Sequence, residues 1–405
     1  MRLQLTLVVA LALAARSGTL AAEPAGNVGA ASSTKPKRHL TAGATFEMSG
    51  YVDSDHVSVL SPTVSGQVAD DIAGWSASGS YMVDAVSAAS VDVVSSASAR
   101  WKEQRHVGAA AVSYKPGALG VTASGNLSRE PDYLSSGGGL LASLDLLDKN
   151  LTPFFGLSYG HDDVGRTGLD RAQWKLLQRG SLQAGATVVL DRSTIAAFQL
   201  DAGLERGYLA KPYRYLPLFA PGSGGDAIPA GAPPAYVNQI RADERAQEQV
   251  PDARNRISLT GRIARRFDRF TVRLDERGYT DSWGLWASTT DARVTFDVGD
   301  RLMVGPHLRH HVQTAVSFWQ RAYETVTLPD GRIGLPVYRT GDREMSWLTT
   351  LTGGLGMKLR LGARARAPFF LSGEIAAAHT WYPDALYITG RWSLFSSLSL
   401  GAEWN

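Results

Sequence analysis

The sequence predicts an all-β protein: a transmembrane, antiparallel, up-and-down β-barrel of about sixteen strands, preceded by a cleaved signal peptide. Three observations predict it. Apolar and polar residues alternate with a period of two along segments far longer than ordinary globular strands. The breaks between those segments are tight and long by turns, as in outer-membrane barrels. The 405 residues also combine 42 Gly, 10 Trp and 14 Tyr with no Cys, at a mean hydropathy of −0.12. Such an average suits a chain in which every second side chain meets water.

The N-terminus carries a basic residue, Arg2, then the apolar run Leu3–Ala15, then Thr19-Leu20-Ala21 as a small-residue cleavage site. This reads as an export signal over 1–21, because the run is too short for a permanent helical anchor. Gly, Ser, Thr, Pro and Lys fill the stretch that follows, so 22–40 reads as a flexible periplasmic linker. The absence of Cys removes disulfide scaffolds, thiolate metal sites and a lipid-modified cysteine. A formal charge of +3, with no basic block beyond Lys35–Arg38, gives no reason to expect a nucleic-acid partner.

Residues 41–405 read as the barrel. From Met345 one face holds Met345, Trp347, Leu351, Leu355, Met357, Leu359 and Leu361, and the other holds Ser346, Thr350, Thr352, Lys358 and Arg360. The last segment repeats this with Leu386, Ile388, Trp392, Leu394, Leu398, Leu400 and Trp404 on one face. Both exceed the roughly 9–11 residues that a tilted strand needs to cross a bilayer. Tight breaks fall at Tyr114–Gly117, Asp148–Asn150, Asp191–Ser193, Phe267–Arg269, Gly299–Arg301 and Gly362–Arg366. Between them lie long or polar connections at 85–97, 130–136, 163–171, 209–254 and 323–342, and short ones near 280–283 and at Tyr382–Ala385. The count is even, which returns both ends of the barrel to the periplasm. Segment 209–254 reads as an extracellular or lumen-folded loop, and Trp404 ends an amphipathic strand of the kind that barrel-assembly machinery recognises.

Several blocks, in order, resemble a family of bacterial proteins catalogued as domain of unknown function 3570. They are Val83–Ser90 with Ser95–Ser98; Glu130-Pro131-Asp132-Tyr133-Leu134-Ser135 with Asp148-Lys149-Asn150; Pro251–Arg256; Arg277–Gly284; and Gly305–Gln313. The resemblance implies an outer-membrane barrel of a Gram-negative bacterium and no established activity. His310 and His311 stand where that pattern favours aromatics, so no role is carried over to them.

Candidate chemistry follows from the strand frames. Apolar Ile257, Leu259 and Ile263 assign one face to lipid, which turns Arg262 and Arg266 inward. By the same parity Arg273, Arg277, His307, Arg309, His311, Lys358 and Arg360 are lumen-facing basic candidates, partly countered by Asp275, Asp297, Glu374 and Glu403. His307 and His311 lie roughly 13 Å apart along a strand at ~3.3 Å per residue, too far to share an ion. Neither a metal nor any other cofactor is therefore expected. Trp347, Trp381, Trp392 and Trp404 are candidates for the aromatic girdle. His161 beside Asp162 and Asp163 at a strand end could serve an acid/base site, and Asp84, Ser87, Ser90 and Asp92 could line a polar outer loop.

The expected function is porin-like passage of small hydrophilic solutes with weak anion preference, since rings of charge set pore selectivity. One alternative is a non-conducting structural or docking barrel for an envelope complex. The other is an outer-membrane hydrolase acting at the outer rim. Expected partners are outer-membrane lipid and the assembly machinery.

Overall fold

A computed structural model describes residues 40–88, 101–327, 329, 333–361 and 369–404. The signal-peptide and linker readings, the turn at Gly362–Arg366, and Ser90 and Asp92 lie outside these residues. The first strands are β1 (Leu40–Asp53), β2 (Ser58–Asp70), β3 (Trp75–Ala88), β4 (Trp101–Tyr114), β5 (Leu119–Glu130), β6 (Tyr133–Leu144) and β7 (Leu151–Val164). They continue as β8 (Lys175–Asp191), β9 (Thr194–Gly207), β10 (Tyr215–Phe219), β11 (Arg245–Gln247), β12 (Ala253–Arg266), β13 (Phe270–Asp281) and β14 (Trp286–Val298). The last are β15 (Leu302–Gln313), β16 (Tyr323–Glu324), β17 (Val326–Thr327), β18 (Ile333–Gly334), β19 (Leu348–Leu361), β20 (Phe369–Trp381) and β21 (Gly390–Trp404). One short helix, α1, spans Pro234–Ile240. No helix among the described residues is long and apolar enough to cross a membrane.

Sixteen strands close into one ring in the order β1 to β9, β12 to β15, then β19 to β21, with β21 pairing back onto β1. The closing seam is antiparallel and in register from Ala42↔Trp404 to Asp53↔Ser393. Closure leaves no strand edge, the condition for a sheet to stand in hydrocarbon. The strands are 12 to 17 residues long, enough to cross a bilayer at a tilt.

The burial pattern is the reverse of a water-soluble protein. Leu140, Phe198 and Leu259 are 61%, 58% and 58% exposed, whereas Asp162, Ser128 and Glu205 are 0%, 1% and 5% exposed. Apolar side chains therefore point outward to lipid and polar ones inward, which is the alternation in the sequence made physical. Water-excluding apolar clusters do occur, but they lie in the connections. One contains Phe219, Ile228, Ala232, Val237 and Ala322, and another Leu216, Leu218, Ala246 and Tyr323.

One end of the ring holds the start of β1, the end of β21 and the tight turns at 71–74, 115–118, 145–150, 192–193, 267–269 and 299–301. Gly299 sits at φ 68, the left-handed region that its tight turn requires. The other end carries the long connections 165–174, 208–252 and 314–347. It also carries shorter ones at 54–57, 131–132, 282–285 and 382–389. One expected break is corrected: 130–136 is no long loop, because Pro131 and Asp132 alone join β5 to β6. Ser135 and Ser136 are alternating positions of β6.

A cation on the lipid face is costly at the bilayer midplane, by roughly 2–4 kcal/mol. Leu355 is outward, 47% exposed and near the middle of β19. Leu355→Arg is expected to destabilise the folded barrel by that amount, whereas Thr352→Ser on the inward face leaves it within about 0.5 kcal/mol. Urea unfolding of vesicle-inserted protein measures both.

Candidate functional site

The ring registers place the inward face of β9 and β12–β15 as a continuous charged wall. Cross-strand partners share a face, so Arg262, Asp275, Asp291 and Arg309 form one row, and Arg273, Arg293 and His307 the next. Within these rows the acids sit beside the arginines. Asp275 accepts from Arg262 Nε at 2.8 Å and also pairs with Arg273. Asp291 accepts from Arg293 Nε at 2.9 Å, and Asp297 pairs with Arg266. Higher up, Glu205 holds Arg256 at 2.6 Å and Asp281 holds Arg254. Next along the ring, on β7 and β8 beside β9, the fully buried Asp162 accepts from Arg179 at 2.7 Å and from the Tyr133 hydroxyl at 2.6 Å.

The remaining basic candidates have weaker partners. Arg277 donates to Ser258 Oγ at 3.0 Å, and His311 Nδ1 lies 2.8 Å from Thr289 Oγ1. His307 Nδ1 is 3.8 Å from Glu374, with its ring laid over Gly354. A Cβ on Gly354 would come within 2.3 Å of that ring, so glycine there makes room for the imidazole. Lys358 Nζ stands 4.3 Å above the Phe370 ring. Arg309 and Arg360 are exposed, and among the described residues neither side chain has a hydrogen bond or ion pair. The wall can therefore present two free guanidinium groups within an otherwise nearly cross-neutralised lining.

Sequence parity missed part of this wall. Arg254, Arg256 and Arg293 belong to the same inward frames, and so do the acids Asp281, Asp291 and Glu205 that offset them. The signal was present, since Arg254 and Arg256 keep even spacing with Arg262. Two other groupings do not come together. His161 and Asp162 point to opposite faces; His161 stays outside, 3.5 Å from Asp163, while Asp162 is locked by Arg179 and Tyr133. Asp84 and Ser87 lie in β3 and not in a loop, and Asp84 is buried 3.7 Å from Arg105. Trp347, Trp381, Trp392 and Trp404 are all exposed at strand ends, the first three at the loop end and Trp404 at the other. Trp286, 64% exposed, lies at the loop end as well.

Connections 208–252 and 314–347 together build a cap. Strand β10 pairs antiparallel with β11 and parallel with β16, giving a three-stranded sheet assembled from both connections. Its joint is Asp342, whose carboxylate takes Lys211 at 2.6 Å and Arg214 at 2.5 Å. Burial pushes the Asp342 carboxyl up, but the charges of Arg214 and Lys211 outweigh it and hold the group well below the usual carboxylate range. Beside it Glu248 accepts from Thr340 Oγ1 at 2.6 Å and pairs with Arg214 at 3.3 Å.

The cap is anchored around the rim. Arg343 pairs with Asp55 at 2.5 Å, and Arg166 donates to the Tyr215 hydroxyl at 2.9 Å. Tyr213 donates to Thr167 and meets Asp132. Arg321 and Trp319 both donate to Asp384, and Phe318 stacks edge-on against Trp283. These anchors are the connections between β1 and β2, β5 and β6, β7 and β8, β13 and β14, and β20 and β21. Contacts spread so widely around one ring put the cap across its mouth. Its inner edge reaches the lining: Glu344 accepts from Arg391 at 2.9 Å and from the Tyr382 hydroxyl at 2.7 Å. Burial and then the charge of Glu344 push the Tyr382 hydroxyl up, which favours its protonated, donating form. An open cleft of about 310 Å³, lined by residues including Lys175, Tyr208, Gln247, Glu248 and Arg339, lies beside the cap.

The Asp342 shift fixes a pH window. A depressed folded-state value contributes stability that is fully present above the unfolded value, about 3.9, and is lost progressively as pH falls from there through the lower folded value. Limited proteolysis of 208–252 is therefore expected to be unchanged between pH 7 and about 4.5. Asp342→Asn leaves Lys211 without its carboxylate and Arg214 with Glu248 alone, and is expected to cost the cap about 3–5 kcal/mol, with rapid cleavage at pH 7 as the readout.

A family profile described as "Protein of unknown function (DUF3570)" matches residues 14–371. No curated protein sequence matches the chain. Among solved structures, the outer-membrane protein OpdK from Pseudomonas aeruginosa is 8% identical, with 90% of this chain and 99% of that one aligned at a TM-score of 0.41. A bacterial polysaccharide outer-membrane secretin is 9% identical, over 89% and 98% of the two chains, at 0.44. The siderophore receptor PirA from Pseudomonas aeruginosa is 11% identical at 0.39; the alignment takes 86% of this chain but only 57% of the receptor.

Proposed function

The chain belongs to the DUF3570 family, and from that premise we propose that this outer-membrane barrel is a channel for small hydrophilic solutes with weak anion preference. The observation that carries the reading is a closed sixteen-strand ring lined by polar groups, with Arg309 and Arg360 exposed on its inward face. Rings of that size leave an aqueous passage. Most wall arginines are neutralised by neighbouring acids, so selectivity falls to the few cations that are not, and it is weak. Short turns face the periplasm in outer-membrane barrels, which puts the cap on the outer mouth as a cover that limits passage.

In planar bilayers the full chain is expected to give small conductance, and release of the cap by Asp342→Asn is expected to raise it severalfold. Under a KCl gradient the reversal potential is expected to show anion preference, abolished in Arg309→Ala with Arg360→Ala. Silence from the Asp342→Asn protein, with its barrel folded, would sink the channel reading. The covered mouth favours one second reading, a non-conducting barrel that docks an envelope partner; that silence is its expected result.

A further inference from the structure

The outward face of β13–β15 carries a polar island where lipid should be. Glu276, Thr290 and His310 lie side by side, since Glu276 pairs in register with Thr290 and Thr290 with His310. All three belong to the outward frame, together with Leu274, Ser288, Ala292 and Leu308. Glu276 and His310 are exposed. Glu276 accepts from Ser288 Oγ at 2.7 Å and from Thr290 Oγ1 at 2.5 Å, while His310 Nε2 lies 3.1 Å from Thr349 Oγ1.

The island lies inside the hydrocarbon band. On β14 the outward aromatics Trp286 and Phe296 stand at opposite ends, ten positions apart. That is roughly 33 Å along the strand at ~3.3 Å per residue, or about 23 Å of height at a ~45° tilt, close to the ~25 Å apolar band of such barrels. Thr290, and with it Glu276, falls between those two levels. Apolar Ile257 and Leu259, 53% and 58% exposed, continue the lipid face on neighbouring β12 above that row. An ionisable side chain at such depth is costly in lipid and ordinarily has a partner.

We propose that this island is the contact between two copies of the chain, paired side by side in the membrane. Its charge pattern is self-complementary. Glu276 on β13 and His310 on β15 flank Thr290 on β14, about 10 Å apart across two strand spacings of ~4.8 Å. A two-fold axis along the membrane normal, passing by Thr290, turns the Glu276 flank of each copy toward the His310 flank of the other, twice over, as an isologous contact requires. Both polar groups then leave lipid. Gly278, the next outward position along β13 from Glu276, presents no side chain that would hold a second barrel away.

Because the chain has no Cys, a single Cys at Thr290 reports the contact cleanly. In native membranes Thr290→Cys is expected to form a dimer under a short bismaleimide, whereas a Cys at the outward Leu140 on β6 stays monomeric. The full chain purified in mild detergent is expected to be dimeric by native mass spectrometry. Glu276→Leu is expected to be monomeric by the same measurement, with heat-modifiable migration showing that its barrel is folded. The exchange Glu276→His with His310→Glu restores the dimer, while each half of it alone does not. A monomeric parent chain, no Thr290→Cys cross-link, or a dimer that survives Glu276→Leu each overturns the proposal.

Discussion

In hydrocarbon, a backbone N–H or C=O without a partner costs several kcal/mol, and no water is present to relieve it. That penalty governs this molecule. It requires the seam between β1 and β21, because any open sheet would leave a row of unpaired amides on each edge. Once the ring is closed, every strand has one face to lipid and one to the interior, and side-chain alternation follows. The exposed leucines, the buried aspartates and the two unlike ends of the ring are all consequences of closing the backbone.

The interior then faces an electrostatic problem of its own. Arginines line it at a spacing that would repel, and the wall meets this by placing a carboxylate beside most of them: Asp275 beside Arg262 and Arg273, Asp291 beside Arg293, Glu205 beside Arg256. Pairs such as Arg262 with Asp275 are partly exposed, so each adds little net stability. What they set is the local field. The cap obeys different rules, since it is a small water-type fold with apolar clusters around Phe219 and Leu216. Its buried Asp342 is held by two cations, and removing it would leave Lys211 without its carboxylate and Arg214 with Glu248 alone.

The barrel was legible because its period is two and its strands are long; Met345 to Leu361 announced their two faces without any structure. The inward positions of Arg262, Arg273 and Arg309 followed from the same parity. Partners did not follow, because parity says which face a residue takes and nothing about which neighbour lies beside it. Asp275 opposite Arg262 depends on register, and register is set by turn lengths read only approximately. His161 and Asp162 illustrate the converse, since adjacency in sequence placed them on opposite sides of the wall. The cap was the least legible part. Its sheet joins Leu218 to Tyr323 and its joint joins Lys211 to Asp342, pairings between segments with no shared periodicity.

The cap's clasps also carry a chronology. Arg343 grips Asp55 across 288 positions, and Arg321 grips Asp384 across 63. The first of these joins the opening hairpin to the last third of the chain, over the line where the ring shuts. Such a grip cannot form while the sheet is an open ribbon, because its two ends are then at opposite margins. That clasp is consequently a mark of closure: Arg343 in the hand of Asp55 means that the circle beneath is complete.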